Sequence, residues 1–191
     1  MLALNILGYV LLVGFFLIEH FVRQGKDTKN MDRTSFDKGS TTFISVVMGV
    51  AFVLLPLTPL LNWLGIGAVH AIGVGAAGVV LGACGLVVRY FALSTLGRFF
   101  SRTLREADDH ALVTVGIYRF IRHPGYLSDL LIFLGVALAM NNLIPIVIIP
   151  ITFLPAYAYR IHIEEKMLIE IFGVRYTDYQ KTSKRLIPFI L

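Results

Sequence analysis

The sequence predicts an all-α integral membrane protein of about five transmembrane helices, the last two paired as a helical hairpin. Three observations carry this. Residues of the AVILMFWYC set make up 57% of the 191-residue chain and charged residues only 15%, against about a quarter charged in soluble domains. The apolar residues gather into runs, three of them near the ~20 residues that a helix needs to cross the hydrocarbon. Sixteen of the 17 lysines and arginines fall in the polar segments between and after those runs, and the other, Arg89, lies near the end of the third run, beside one of them.

The first run is Leu2 to Val22. It begins apolar, with no basic n-region and no small-residue cleavage site, which reads as a retained span and not a signal peptide. A polar loop, Arg23 to Ser40, follows. The second run, Thr42 to Trp63, is expected to break near its end at Pro56 and Pro59, and the third is Ala68 to Leu93. After the long polar stretch Gly97 to His123 come two shorter runs, Tyr126 to Met140 and Leu143 to Tyr159, separated by Asn141-Asn142. Short for full spans, those two read as a helical hairpin that barely crosses or as a re-entrant pair, and either returns the chain to the side it left. The tail from Arg160 is amphipathic.

Five crossings place the three basic segments on one face. The positive-inside bias makes that face cytoplasmic and puts the N-terminus outside. The formal net charge of +5 is thereby explained by topology, and no nucleic-acid partner is expected. The single cysteine, Cys84, excludes an internal disulfide and reads as a small buried hydrophobe. With the histidines scattered, no zinc motif is present and no metal is expected.

Residues 73–78 read Gly-Val-Gly-Ala-Ala-Gly. A dinucleotide loop of that form needs a strand before it and a helix after it. Here it lies inside an apolar run, and Gly78, Gly82 and Gly85 continue it at helical spacing. The spacing is that of close helix packing in a membrane.

Two stretches hold nearly all the polar side chains able to bind or react: His110 to Asp129 and Arg160 to Tyr179. In the first, His123-Pro124 reads as a helix start, since proline suits the first turn. A capping His123 and a snorkelling Arg122 would account for the pair structurally. A helix N-terminus also offers N–H groups and a positive dipole end to an anion, and Tyr118, His123 and Tyr126 add aromatic faces. Asp129, a turn inside, reads equally as dipole compensation or as an acid facing a protein interior. In the second stretch, Arg160 and Glu164 stand i, i+4 beside Glu165. The spacing suits an ordinary intrahelical ion pair, but Arg160 follows directly on the last apolar run, where an arginine fork can take a carboxylate. Gly173 is a helix stop after Phe172. Glu19, His20 and His162 read as interfacial or structural, and His70 lies on the opposite side.

These stretches resemble the isoprenylcysteine carboxyl methyltransferase family, and a small prokaryotic orthologue within it, over roughly Thr103 to Gln180. The resemblance rests on Gly116-x-Tyr118-(x)3-Arg122-His123-Pro124-x-Tyr126, then Arg160-(x)3-Glu164-Glu165, then Phe172-Gly173-x-x-Tyr176-x-x-Tyr179. Membrane phospholipid N-methyltransferases and some sterol reductases share a looser version. The resemblance implies S-adenosyl-L-methionine as methyl donor, with S-adenosyl-L-homocysteine as product, held at the cytoplasmic face. It implies donor binding by His110, Ala111, Leu112, Val113, Tyr118, His123, Pro124, Gly125, Tyr126 and Glu164, and substrate binding by Arg160. Arg160 and Glu164 are the expected catalytic pair.

The whole chain, 1–191, is then expected to be one membrane methyltransferase domain. Residues 1–96 would supply the first membrane helices and 97–191 the cofactor-binding and catalytic region. The expected reaction is methylation of the carboxylate of a prenylated cysteine or similar lipophilic acid, with membrane lipid as surroundings. Two other readings stand beside it. A phosphatidylethanolamine-type N-methyltransferase would share the donor site but would want a base or acidic partner more than an arginine. A small transporter or scaffold would be expected to show internal repeats and polar residues at the midplane, which this sequence lacks.

Overall fold

The structure, a computed structural model, describes residues 2–22, 39–97 and 112–186. Among these residues the chain is helical throughout its long elements: α1 (Leu2–Phe21), α2 (Ser40–Trp63), α3 (Ile72–Leu96), a 3₁₀ turn (Gly116–Arg119), α4 (Pro124–Ala139), α5 (Leu143–Phe172) and α6 (Val174–Thr182). The only bridge pairings among them are isolated ones, Ala68 with Asn142 and Ile121 with Lys184. Helices α1, α2, α3 and α5 are each long and apolar enough to cross a membrane, and α4, at 16 residues, is a shorter apolar helix.

Every backbone polar group must be satisfied within the chain in hydrocarbon, so helices are the form such runs take. One expectation about their ends is corrected. Helix α2 continues through Pro56 and Pro59 to Trp63. A proline removes one backbone donor, which membrane helices tolerate when neighbouring groups adjust. Helix α5 runs from Leu143 through the apolar run and on to Phe172, passing Pro150 and Pro155. It stops where expected, at Gly173, whose φ is 55°.

The hairpin is present. Its turn is locked by an asparagine cluster: Asn142 Oδ1 accepts from the Ile144 N–H (2.9 Å), and Asn142 Nδ2 donates to Asn62 Oδ1 and to the Ile66 carbonyl (both 2.8 Å). Asn62 Nδ2 in turn donates to the Met140 carbonyl at 2.8 Å. Backbone bonds from Val69 to Asn141 and from Leu143 to Gly67 complete the seam.

Helix α3 lies closest against α4, and glycine is the reason. A Cβ placed on Gly78 would meet the Ala139 nitrogen at 2.4 Å, and one on Gly135 would meet the Gly82 nitrogen at the same distance. The Gly-x-Gly-x-x-Gly sequence is thus inside α3, and its helical continuation forms a packing face. Around the shared core, Phe133 is wholly buried, with ring centroids 5.5 Å from Phe15, 5.4 Å from Phe52 and 5.3 Å from Phe153. Cys84 is exposed on α3, contrary to the expected burial. Large apolar side chains such as Val53, Val80, Val87, Leu143 and Ile151 also point outward, as lipid-facing positions would.

Candidate functional site

The helices bring their polar residues to one end: the finish of α1 and α3, the starts of α2 and α4, and the far part of α5. Arg160 stands 17 residues beyond Leu143. At 1.5 Å per residue that is about 26 Å along α5, near the ~30 Å thickness of the hydrocarbon. The Arg160 side chain is buried, only 3% exposed.

Tyr126, in the first turn of α4, is the centre of this end. Its hydroxyl donates to Glu164 Oε2 at 2.6 Å and accepts from Arg160 Nε at 3.1 Å. Arg160 Nη1 also donates to Ser40 Oγ (2.8 Å) and Thr41 Oγ1 (3.0 Å) at the start of α2. The ring of Tyr126 stacks between His123, centroids 5.8 Å apart, and Tyr157, 5.1 Å apart. Sequence spacing suggested a direct Arg160–Glu164 pair; the structure joins the two through a phenol from another helix.

His123 occupies the position before Pro124 but makes no side-chain capping bond. Its Nε2 is 3.4 Å from Glu165 and its Nδ1 is 3.9 Å from Glu164. Arg122 does not snorkel outward. Its Nε donates to Glu165 Oε1 at 3.0 Å, and its Nη1 to the carbonyls of Gln180 (3.2 Å) and Ser183. Arg185 donates to Glu165 Oε2 at 2.8 Å. Glu165 is therefore a clamp that holds the tail after α6 against the approach to α4. Backbone bonds from Arg122 and His123 to Lys184 and Arg185 do the same.

Asp129 faces the protein interior, where it pairs with Arg89 at 2.9 Å and accepts from the Tyr157 hydroxyl at 3.2 Å. Arg89 also pairs with Glu19, whose side chain is 8% exposed. Glu19 is thus not an interfacial residue; its neighbour His20 is exposed.

The structure brings Tyr118, His123, Pro124, Gly125, Tyr126, Arg160 and Glu164 to this end, Tyr118 through the bond from the Tyr179 hydroxyl to its carbonyl. Leu112 and Val113 are half-buried in the irregular segment before the 3₁₀ turn. His110 and Ala111 lie outside the described residues. Sequence reasoning missed Ser40, Thr41, Tyr157, Glu19 and Arg89 as members of the network; Arg89, an arginine inside an apolar run, was the available signal. Burial pushes the phenols of Tyr118 and Tyr176 well above the ordinary range, helped for Tyr176 by the carboxylates of Glu165 and Glu164, and raises Tyr179 to about 12. These hydroxyls are protonated donors near neutral pH. No group of three or more His, Cys, Asp or Glu that could hold a metal ion occurs among the described residues.

A helical membrane bundle with a tyrosine-bridged arginine and glutamate at one end is the class of protein that fold and site define. A sequence profile of the Isoprenylcysteine carboxyl methyltransferase (ICMT) family matches residues 77–170, which include Tyr118, His123, Tyr126, Arg160 and Glu164. The chain is 34% identical over 119 residues to a probable protein-S-isoprenylcysteine O-methyltransferase of Oryza sativa subsp. indica, covering 61% of this chain and 62% of that one. It is 35% identical over 115 residues to the protein-S-isoprenylcysteine O-methyltransferase of Saccharomyces cerevisiae, covering 59% and 48%. Its fold matches the solved structure of the eukaryotic intramembrane Ras methyltransferase ICMT with a TM-score of 0.60 at 28% identity, over 94% of this chain and 63% of that one. The chain thus spans less than two thirds of the length of each of these proteins. Over the matched residues it is similar to the isoprenylcysteine carboxyl methyltransferase family, the family its motifs resemble.

Proposed function

We propose that the protein transfers a methyl group from S-adenosyl-L-methionine to the carboxylate of a lipophilic, prenylcysteine-like acid at the cytoplasmic membrane face, with the N-terminus outside. The observation that carries the reading is the Tyr126 hydroxyl, which ties an anion-binding arginine to a cation-binding glutamate at 3.1 and 2.6 Å.

The donor set fits the cofactor. S-adenosyl-L-methionine presents an ammonium, a sulfonium, a carboxylate, hydroxyls and an aromatic base. Glu164, a quarter exposed, suits a cationic or hydroxyl group. The first-turn N–H groups of Gly125 and Tyr126 suit a carboxylate, and the His123 and Tyr126 rings offer aromatic faces. The site would draw further on His110, Ala111, Leu112, Val113, Tyr118 and Pro124. When bound, the sulfonium supplies an electrophilic methyl group.

The chain's own work is alignment. A carboxylate is already anionic at neutral pH, so no general base is required. Arg160 holds the acid in a fixed direction because Tyr126, Ser40 and Thr41 fix its guanidinium beforehand. Fixing two reactants in line supplies up to ~7–11 kcal/mol in intramolecular reactions. The lipophilic tail would remain among the membrane helices while the polar donor enters from the aqueous side. An amine acceptor would gain nothing from Arg160, which is why the N-methyltransferase reading is not preferred.

Arg160→Ala and Arg160→Lys should each cut methyl transfer at least ~100-fold, since the planar guanidinium held by Tyr126, Ser40 and Thr41 is lost, with S-adenosyl-L-homocysteine affinity changed less than about threefold. Glu164→Gln should weaken that affinity about tenfold. Equal loss of affinity and turnover in the Arg160 variants would contradict the assignment.

A further inference from the structure

We propose that the buried Arg89–Asp129 pair is a positioning device for Tyr126, acting on the site without touching what binds there. The proposal rests on the reading of Tyr126 as the bridge between Arg160 and Glu164.

One guanidinium reaches Tyr126 by two routes. Arg89 Nη1 donates to the Gly125 carbonyl at 3.2 Å, which fixes the backbone one residue before Tyr126. The same Nη1 pairs with Asp129 Oδ1 at 2.9 Å; Asp129 Oδ2 accepts from the Tyr157 hydroxyl at 3.2 Å, and the Tyr157 ring lies on the Tyr126 ring at 5.1 Å and 26°. A second hold on the backbone comes through Ser128, whose Oγ donates to the Gly125 carbonyl at 2.6 Å. Arg89 is itself set by Glu19 on α1, with Nε donating at 2.9 Å. The backbone and the ring face of Tyr126 are therefore both fixed from α3.

Stability alone does not explain this arrangement. A buried ion pair is often replaced by packed apolar side chains with neutral or favourable effect, and ionisable residues at membrane depth mark function by default. Apolar residues at 89 and 129 could fill the same space between α3 and α4. They could not aim the Tyr157 hydroxyl or hold the Gly125 carbonyl, and so could not fix where the Tyr126 phenol points.

The test is Tyr157→Phe, which keeps the ring stack and deletes only the hydroxyl. The device predicts that kcat for methyl transfer falls about tenfold, the cost of one lost hydrogen bond of this kind. The acceptor KM and the S-adenosyl-L-homocysteine affinity stay within about twofold. In a Tyr126→Phe background the same substitution adds almost nothing, because coupled positions are non-additive. Asp129→Asn, which still accepts from Tyr157, retains more turnover than Asp129→Leu. A 3-fluorotyrosine placed at Tyr126 gives a fluorine resonance that shifts on Tyr157→Phe, while one placed at Tyr118 does not move. That resonance is read without any methyl transfer. A wild-type protein that methylates no carboxylate therefore overturns the functional reading alone, and the resonance still decides the positioning. A Tyr126 resonance unmoved by Tyr157→Phe, or fully additive losses in kcat, overturns the proposal.

Discussion

Tyr126 on α4 stands between Arg160 and Glu164, residues one turn apart on α5, accepting from the first at 3.1 Å and donating to the second at 2.6 Å. The two α5 side chains are therefore held in a relation that their own helix does not impose. Tyr126→Phe keeps both ring stacks and removes both bonds. Hydrogen bonds to charged groups contribute about 2 kcal/mol each, so losing both should lower turnover by up to ~1,000-fold. The melting temperature should fall by several degrees as well, since the same two bonds hold α4 to α5. Steady-state kinetics and a thermal scan check both statements.

The α3–α4 contact makes a prediction about stability. A methyl group at Gly135 would meet the Gly82 nitrogen at 2.4 Å and its Cα at 2.6 Å, both backbone atoms that cannot swing aside. Gly135→Ala should cost about 1–3 kcal/mol, the usual range for overpacking, and lower the melting temperature in detergent. Gly49→Ala, where nothing lies within 4 Å of the added carbon, should leave it unchanged or slightly raised.

Glu165 gathers Arg122 at 3.0 Å, His123 at 3.4 Å and Arg185 at 2.8 Å. Glu165→Gln leaves the Arg122 guanidinium, 9% exposed, without its anionic partner. Breaking a buried pair on one side costs about 3–5 kcal/mol. The tail after α6 should detach first, seen as earlier proteolytic cleavage near Lys184 and Arg185. Cleavage unchanged from wild type would contradict the clamp.

The hairpin turn depends on Asn142, which is wholly buried. Asn142→Ala loses the cap on Ile144 and both bonds to the α2–α3 connection, and should destabilise by about 2 kcal/mol, a cap loss at the upper end. Asn142→Asp keeps the cap oxygen but turns a buried carboxylate oxygen toward Asn62 Oδ1 and the Ile66 carbonyl, so its melting temperature should fall at least as far as that of Asn142→Ala.

The helices were legible because hydrophobic runs at membrane length leave few alternatives, and the Asn141-Asn142 break located the hairpin turn. The membership of the polar end was legible in part, since His123, Tyr126, Arg160 and Glu164 lie in two short stretches. The bonds within it were not. Arg160 finds Ser40 and Thr41 some 120 positions earlier, and Arg89 finds Asp129 40 positions later. Such pairings depend on how helices are arranged around one another, which run length does not encode. The same limit misplaced Glu19 and Arg122: each stands near a run's end, where exposure is the local expectation, and each is drawn inward by a partner on another element.

The central claim is methyl transfer to a carboxylate, and the chemistry of the product tests it most directly. Purified protein would be given methyl-labelled S-adenosyl-L-methionine and a farnesylcysteine analogue, and the extracted product treated with base. The account predicts label released as methanol, the mark of a methyl ester. Label transferred but stable to base would place the methyl on nitrogen or carbon and contradict the account.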